Sequence, residues 1–133
     1  MKNALYIFLF LVIGITSCEK NTMGDRRDQD EQKLSEMLKE IKDIVDTVPC
    51  TDPSEWSFIG IGSKSCGGVK DYIAYPHAID TAAFKELVKE YNEAEAEFNI
   101  KYKITSDCMV VEAPIGIICQ DGKAVLVYEN KSR

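Results

Sequence analysis

The chain predicts an α+β fold, a small antiparallel sheet of about four or five strands covered by one helix and preceded by an amphipathic helix. Three observations carry this expectation. Leu34, Met37, Leu38, Ile41, Ile44, Val45 and Val48 recur at three- and four-residue intervals, which puts them on one stripe of a helix. Phe84, Leu87, Val88, Tyr91, Ala94 and Phe98 make a second such stripe, set between apolar stretches too short to be helices. Asp121-Gly122 stands between two of those stretches and is the pair that a tight hairpin turn with two positive φ angles demands. Helix, strands, helix, strands is the order of a sheet with its helices on one side.

The first helix spans 34–48 and stops before Pro49, because proline disfavours helical geometry in the residue ahead of it. Its outer face carries Glu, Lys and Asp, so the apolar stripe packs on the domain or on a neighbouring subunit; a helix lying on a membrane would have a basic polar face. Residues 18–33 are nearly all polar and of mixed charge, which predicts a flexible tether. The body then occupies 49–133. From Trp56 to Gly62 apolar groups fall on both faces, as in an interior strand, and Gly60 and Gly62 allow a bulge or a close backbone approach. Tyr72 to Tyr75 supplies a second short strand that Pro76 interrupts. Asp80 sits at the N-cap of the second helix, which runs to Asn99 or beyond. A strand from Asp107 to Glu112 precedes the hairpin of 115–120 and 123–128, joined to it through Ala113-Pro114.

Lys2 gives a positive start, residues 4–13 a short apolar run, and Ile15-Thr16-Ser17-Cys18 its end. The run from Ala4 to Ile15 is shorter than the roughly 20 residues of a spanning helix. This segment resembles the lipobox signal peptide of bacterial lipoproteins. The resemblance implies cleavage after residue 17 and acylation of Cys18 with palmitate-type chains, two or more of which anchor a protein stably to a bilayer. Glu19, in place of the aspartate that marks retention at the inner membrane, points to the outer membrane, with the body facing the periplasm or the cell surface.

Removing residues 1–17 from the 133-residue chain leaves 116, the length of one domain. Lys2 is the only charge lost, which takes the formal net charge from −6 to −7 and disfavours nucleic acid as a partner. With Cys18 assigned to lipid, Cys50, Cys66, Cys108 and Cys119 form an even set in an exported chain, and two disulfides follow. Three connectivities are open. Short-range closure favours Cys50 with Cys66 and Cys108 with Cys119, the second pair brought opposite one another if the 107–112 strand neighbours the hairpin. A bridge closing about 15 residues contributes roughly 3 kcal/mol by loop entropy.

Gly62-Ser63-Lys64-Ser65-Cys66-Gly67-Gly68 has glycine spacing suggestive of a phosphate loop, but Gly68 stands where the required lysine would be. Cys66, His77 and Asp80 are the residue types of a thiol nucleophile, its base and an orienting carboxylate, and they make a small thiol-dependent or hydrolytic enzyme the alternative reading. An even cysteine count leaves no spare thiol for it. No paired Cys-x-x-Cys and no histidine cluster accompanies the single histidine, so neither a metal nor a cofactor is expected. Glu86, Glu90, Glu93, Glu95 and Glu97, interleaved with Lys85 and Lys89, read as a solvated helix face. Trp56, Phe58, Tyr72 and Tyr75, with Tyr128 beside them, are the candidate binding surface, since exposed aromatics near a disulfide-pinned loop serve recognition. From Cys50 onward the layout of Cys66-Gly67-Gly68, a helix, Ser106-Asp107-Cys108 and Cys119-Gln120-Asp121-Gly122-Lys123 is similar to small uncharacterised bacterial lipoproteins. That likeness implies no activity. The residues themselves lead to the expectation of a lipid-anchored, non-enzymatic module that binds or inhibits another protein or a cell-wall component through the 51–75 region, and they leave the oligomeric state open. A third, structural role would have 34–48 self-associate.

Overall fold

The computed structural model describes residues 23–129. Helix α1 (Met23–Asp46) leads through a 3₁₀ turn at Pro53–Glu55 into strands β1 (Trp56–Ile61) and β2 (Asp71–Pro76). Helix α2 (Thr81–Tyr102) follows, and strands β3 (Gly116–Gln120) and β4 (Lys123–Val127) come last. The architecture is α+β, with two antiparallel sheets of two strands each, β1–β2 and β3–β4, in place of the single larger sheet expected.

Alternation along the strands explains why the sheets stay separate. In the β1–β2 register Ile59 pairs with Ile73 and Ser57 with Tyr75, while Trp56 pairs with Pro76 and Phe58 with Ala74. One face therefore presents Ile59, Ile61, Ile73 and Tyr75 to the helices, where they pack with the buried Ile41, Phe84, Val88 and Tyr91. The other face sets Trp56 and Ala74 against Ile117, Cys119, Ala124 and Leu126 of the second hairpin. The molecule is a stack of helices, first hairpin and second hairpin. Apolar residues on both faces of β1 thus mark a strand interior to the layers, although its sheet has only two strands.

Helix α1 reaches back to Met23, so residues 23–33 are helical where a tether was expected. Packing on the end of α2 is the cause: Asp30 accepts hydrogen bonds from Lys101 Nζ at 2.5 Å and Tyr102 Oη at 2.8 Å, and the Arg27 guanidinium lies 6.0 Å from the Tyr102 ring centre. Farther along, the apolar stripe of α1 packs into the core around Ile41 of its own chain. Residues 18–22, the export segment and Cys18 lie outside the described residues. The Asp80 carboxylate caps α2 by accepting from the Ala82 and Ala83 N–H groups, and Lys103 ends the helix in the left-handed region at φ 52°. Asp121 and Gly122 turn the second hairpin with φ of 51° and 76°, the pair of positive angles anticipated for Asp-Gly.

Two expectations for the C-terminal third are corrected. Residues 107–112 form no strand: Cys108 has a φ of 55°, which no strand accommodates, and the Met109 carbonyl accepts from Lys64 Nζ at 2.6 Å. The disulfides join Cys50 to Cys119 and Cys66 to Cys108, across 69 and 42 positions of sequence. Without the 107–112 strand Cys108 does not come opposite Cys119. Cys119 instead faces the buried Cys50 between the two hairpins, where the Cys50 N–H donates to the Gly122 carbonyl at 2.8 Å.

Candidate functional site

A cleft of about 1070 Å³ lies between β2 and the second hairpin, bordered by the end of α1. Trp56, Tyr72, Ala74, Leu126 and Tyr128 line it, and Lys42, Asp46 and Lys123 add charge of both signs. Four consecutive β2 residues, 71–74, take part. Successive side chains of a strand point to opposite faces, so a surface touched by four in a row follows the strand's edge.

That edge carries unladdered backbone groups. The His77 N–H donates to the Glu55 carbonyl at 2.8 Å, which fixes 55 and 77 as a hydrogen-bonded pair; two-residue alternation then pairs 57 with 75, 59 with 73 and 61 with 71. The N–H and C=O groups of Tyr72 and Ala74 consequently point away from β1. The Tyr72 N–H is covered by the carboxylate of its own neighbour, Asp71, at 2.8 Å. Burial raises the pKa of the Tyr128 phenol, with smaller contributions from the charges of Asp71 and Tyr72, so these three groups share one corner of the cleft.

The aromatic patch expected from sequence divides between layers. Trp56 is 8% exposed and belongs to the packing between the hairpins. Phe58 and Tyr72 are half-buried on that same side and meet edge to face, their ring centres 6.0 Å apart. Tyr75, three residues from Tyr72, faces the opposite way and packs on Phe84 with ring centres 5.2 Å apart in the helix-facing core. Tyr128 is exposed at the cleft.

The thiol-enzyme constellation does not assemble, because Cys66 is bonded to Cys108 and the Asp80 carboxylate is taken up by the α2 cap. His77 Nε2 lies 2.8 Å from Ser57 Oγ across the first hairpin, a pairing that the register makes and the linear spacing hides; neither residue lines the cleft. Among the described residues no group of three His, Cys, Asp or Glu side chains is placed to hold a metal ion.

A second polar cluster escaped sequence reasoning. Glu95, expected on the solvated face of α2, is buried and accepts from the Ser63 N–H at 2.7 Å and from Lys70 Nζ at 2.6 Å. Asn92 Oδ1 accepts from the Gly62 N–H at 2.6 Å, and Asn99 Nδ2 donates to the Ser63 carbonyl at 2.7 Å. Positions 92, 95 and 99 share one helix face, so the stripe was visible; what it grips was not. These bonds clamp the start of the glycine-rich loop to α2. No family model matches the chain, and neither a curated protein nor a solved structure matches it.

Proposed function

We propose that the chain is a lipid-anchored, non-enzymatic binding protein of the bacterial cell envelope, which captures an extended segment of a partner protein along the outer edge of β2. The anchor is Cys18, and the outer membrane is the bilayer that Glu19 favours. Among the described residues no helix is long and apolar enough to cross a membrane.

The observation that carries the binding reading is the Tyr72 N–H, outside the β1–β2 ladder and covered by Asp71. A strand edge of this kind pairs with an incoming strand, which offers a carbonyl where the Asp71 carboxylate now sits, while flanking pockets read alternate side chains. Tyr72 and Tyr128 supply large, stiff apolar contacts at that edge, and the mixed charges around them suit a segment of mixed sequence. The cystine-held scaffold behind the cleft limits the ordering entropy of binding.

A photoreactive phenylalanine analogue placed at Tyr72 in the full, lipidated chain in its host tests this reading. Irradiation should give one protein adduct from position 72 and none from position 86, on the solvated face of α2. Ala74→Pro removes an N–H on the side away from β1 and leaves the β1 ladder bonds in place, so it should abolish the adduct in a protein that still unfolds cooperatively, at a lower melting temperature because Ala74 is buried. Adducts only to glycan or lipid at position 72, or the same protein adduct at both positions, would refute a protein partner at this edge.

A further inference from the structure

We infer that Cys66–Cys108 is a reducible site for an envelope dithiol, attacked at Cys108 with Cys66 as the leaving group, and that Cys50–Cys119 stays oxidised under the same conditions. The two bridges differ first in access. Cys66 and Cys108 are both exposed, whereas Cys50 is 3% exposed and packed beneath Trp56 and Ala74, and Cys119 is half-buried against the same cluster. Thiol–disulfide exchange needs in-line approach to a sulfur, so burial protects one bridge and exposure opens the other.

The surroundings of the exposed bridge then select a sulfur. Ser106 Oγ lies 3.1 Å from Cys66 Sγ, and a sulfur in a disulfide has no proton to give, so the serine hydroxyl is the donor. Ser65 Oγ in turn donates to Ser106 Oγ at 3.2 Å, which leaves the Ser106 proton aimed at the sulfur. A donor at that position stabilises the developing thiolate and makes Cys66 the better leaving group. Lys64 brings a cation into the same segment, its Nζ donating to the Asp107 carboxylate at 3.0 Å and to the Met109 carbonyl.

The step balances as follows. A thiolate of the dithiol attacks Cys108 Sγ and forms a mixed disulfide, while the Cys66–Cys108 bond breaks and its electron pair leaves on Cys66, which takes up a proton. The second thiol of the reductant attacks its partner sulfur in the mixed disulfide and releases Cys108 as a thiolate, which is protonated in turn. The dithiol is oxidised to a disulfide, and the bridge is reduced to two thiols. Residues 104–114, without helix or strand, lose their covalent tie to the glycine-rich loop, which the Glu95 and Asn99 bonds continue to hold.

The test uses the native full chain, brief exposure to limiting dithiothreitol, alkylation with N-ethylmaleimide and peptide mass spectrometry. Cys66 and Cys108 should become alkylated several-fold faster than Cys50 and Cys119, because both residues of one bridge are exposed and neither residue of the other is. With glutathione as the probe, early mixed disulfides should sit on Cys108, with Cys66 alkylated. Ser106→Ala should slow this reduction several-fold and divide the glutathione adduct between the two sulfurs, a readout that a packing role would not move. Equal reduction rates for the two bridges, an adduct favouring Cys66, or a Ser106→Ala protein with unchanged rate and selectivity would overturn the inference.

Discussion

Glu95 is the residue on which the local structure most depends. Its carboxylate meets a backbone N–H, a lysine and the Tyr91 phenol, so Glu95→Ala strands the part-buried Ser63 N–H and the buried Tyr91 hydroxyl and should cost about 1–3 kcal/mol, measured as a lower urea midpoint with the disulfides intact. Gly62 belongs to the same contact: its φ is 78°, and a Cβ there would stand 2.8 Å from Glu95 Oε2. Gly62→Ala should therefore destabilise the fold by more than the 1 kcal/mol or so typical of an unfavourable φ, in the same measurement. Burial, with the charge and hydrogen bond of Glu95 added, pushes the Tyr91 pKa up to about 12. The folded chain holds that proton more tightly than the unfolded chain, whose tyrosines ionise near about 10. This contribution to stability is complete below pH 10 and is lost as pH rises through about 12. Alkaline unfolding curves should show a steeper loss for the unsubstituted protein than for Tyr91→Phe. None of this was legible beforehand, since helical spacing in a run of glutamates is the same whether one of them meets solvent or a loop from another part of the chain.

At the scale of elements, local chemistry was readable wherever neighbours in sequence decide the conformation. Asp80 caps α2 and Asp121-Gly122 turns the second hairpin because side-chain and φ requirements there are met within a few residues. Asp80→Ala should accordingly cost about 1 kcal/mol, read from thermal unfolding, by removing the acceptor for two helix N–H groups. Two elements were misread for the complementary reason. The start of α1 has little apolar surface of its own and is held by Asp30 against Lys101 and Tyr102, more than 70 positions away. Those hydrogen bonds, that from Lys101 first, hold the Asp30 carboxyl below its ordinary range. Their contribution is present above the unfolded carboxylate value near about 4 and is lost as pH falls below it through the lower value of the folded chain; amide protection in 23–33, corrected for intrinsic exchange rates, should fall at acid pH and should already be low at neutral pH in Asp30→Asn. The 107–112 segment has strand-like composition, but Cys108 adopts a left-handed backbone conformation and is tied to the glycine loop.

For the molecule as a whole, the sequence announced an α+β body with two disulfides, but not how its layers close. Apolar residues on both faces of β1 are compatible with a central strand in a wide sheet and with a thin hairpin lying between two layers; only the packing of Trp56 and Ala74 on Leu126 and Ile117 distinguishes them. The same alternation divides the expected aromatic surface, sending Tyr75 to the helices and leaving Tyr72 at the cleft, a consequence that counting three residues along a strand would have predicted. Cystine placement follows the layers. Cys50–Cys119 ties the exit of α1 to the second hairpin, so the cleft is bounded by elements that are covalently joined. Removing that bridge as Cys50→Ser with Cys119→Ser should lower stability by roughly 4 kcal/mol, the loop-entropy value for a closure of this size, and should weaken partner capture by leaving the hairpin free to move.

The layered body, the cleft at the edge of β2 and the absence of a thiol nucleophile at position 66 all depend on how the four cysteines of the body are paired. Peptide mapping of the unreduced protein from its native host, by mass spectrometry after digestion under conditions that block exchange, tests that most directly. Two crosslinked species are expected, one joining the peptides that contain Cys50 and Cys119 and the other those that contain Cys66 and Cys108. Linkage of Cys50 to Cys66 and of Cys108 to Cys119, or of Cys50 to Cys108 and of Cys66 to Cys119, would contradict the account.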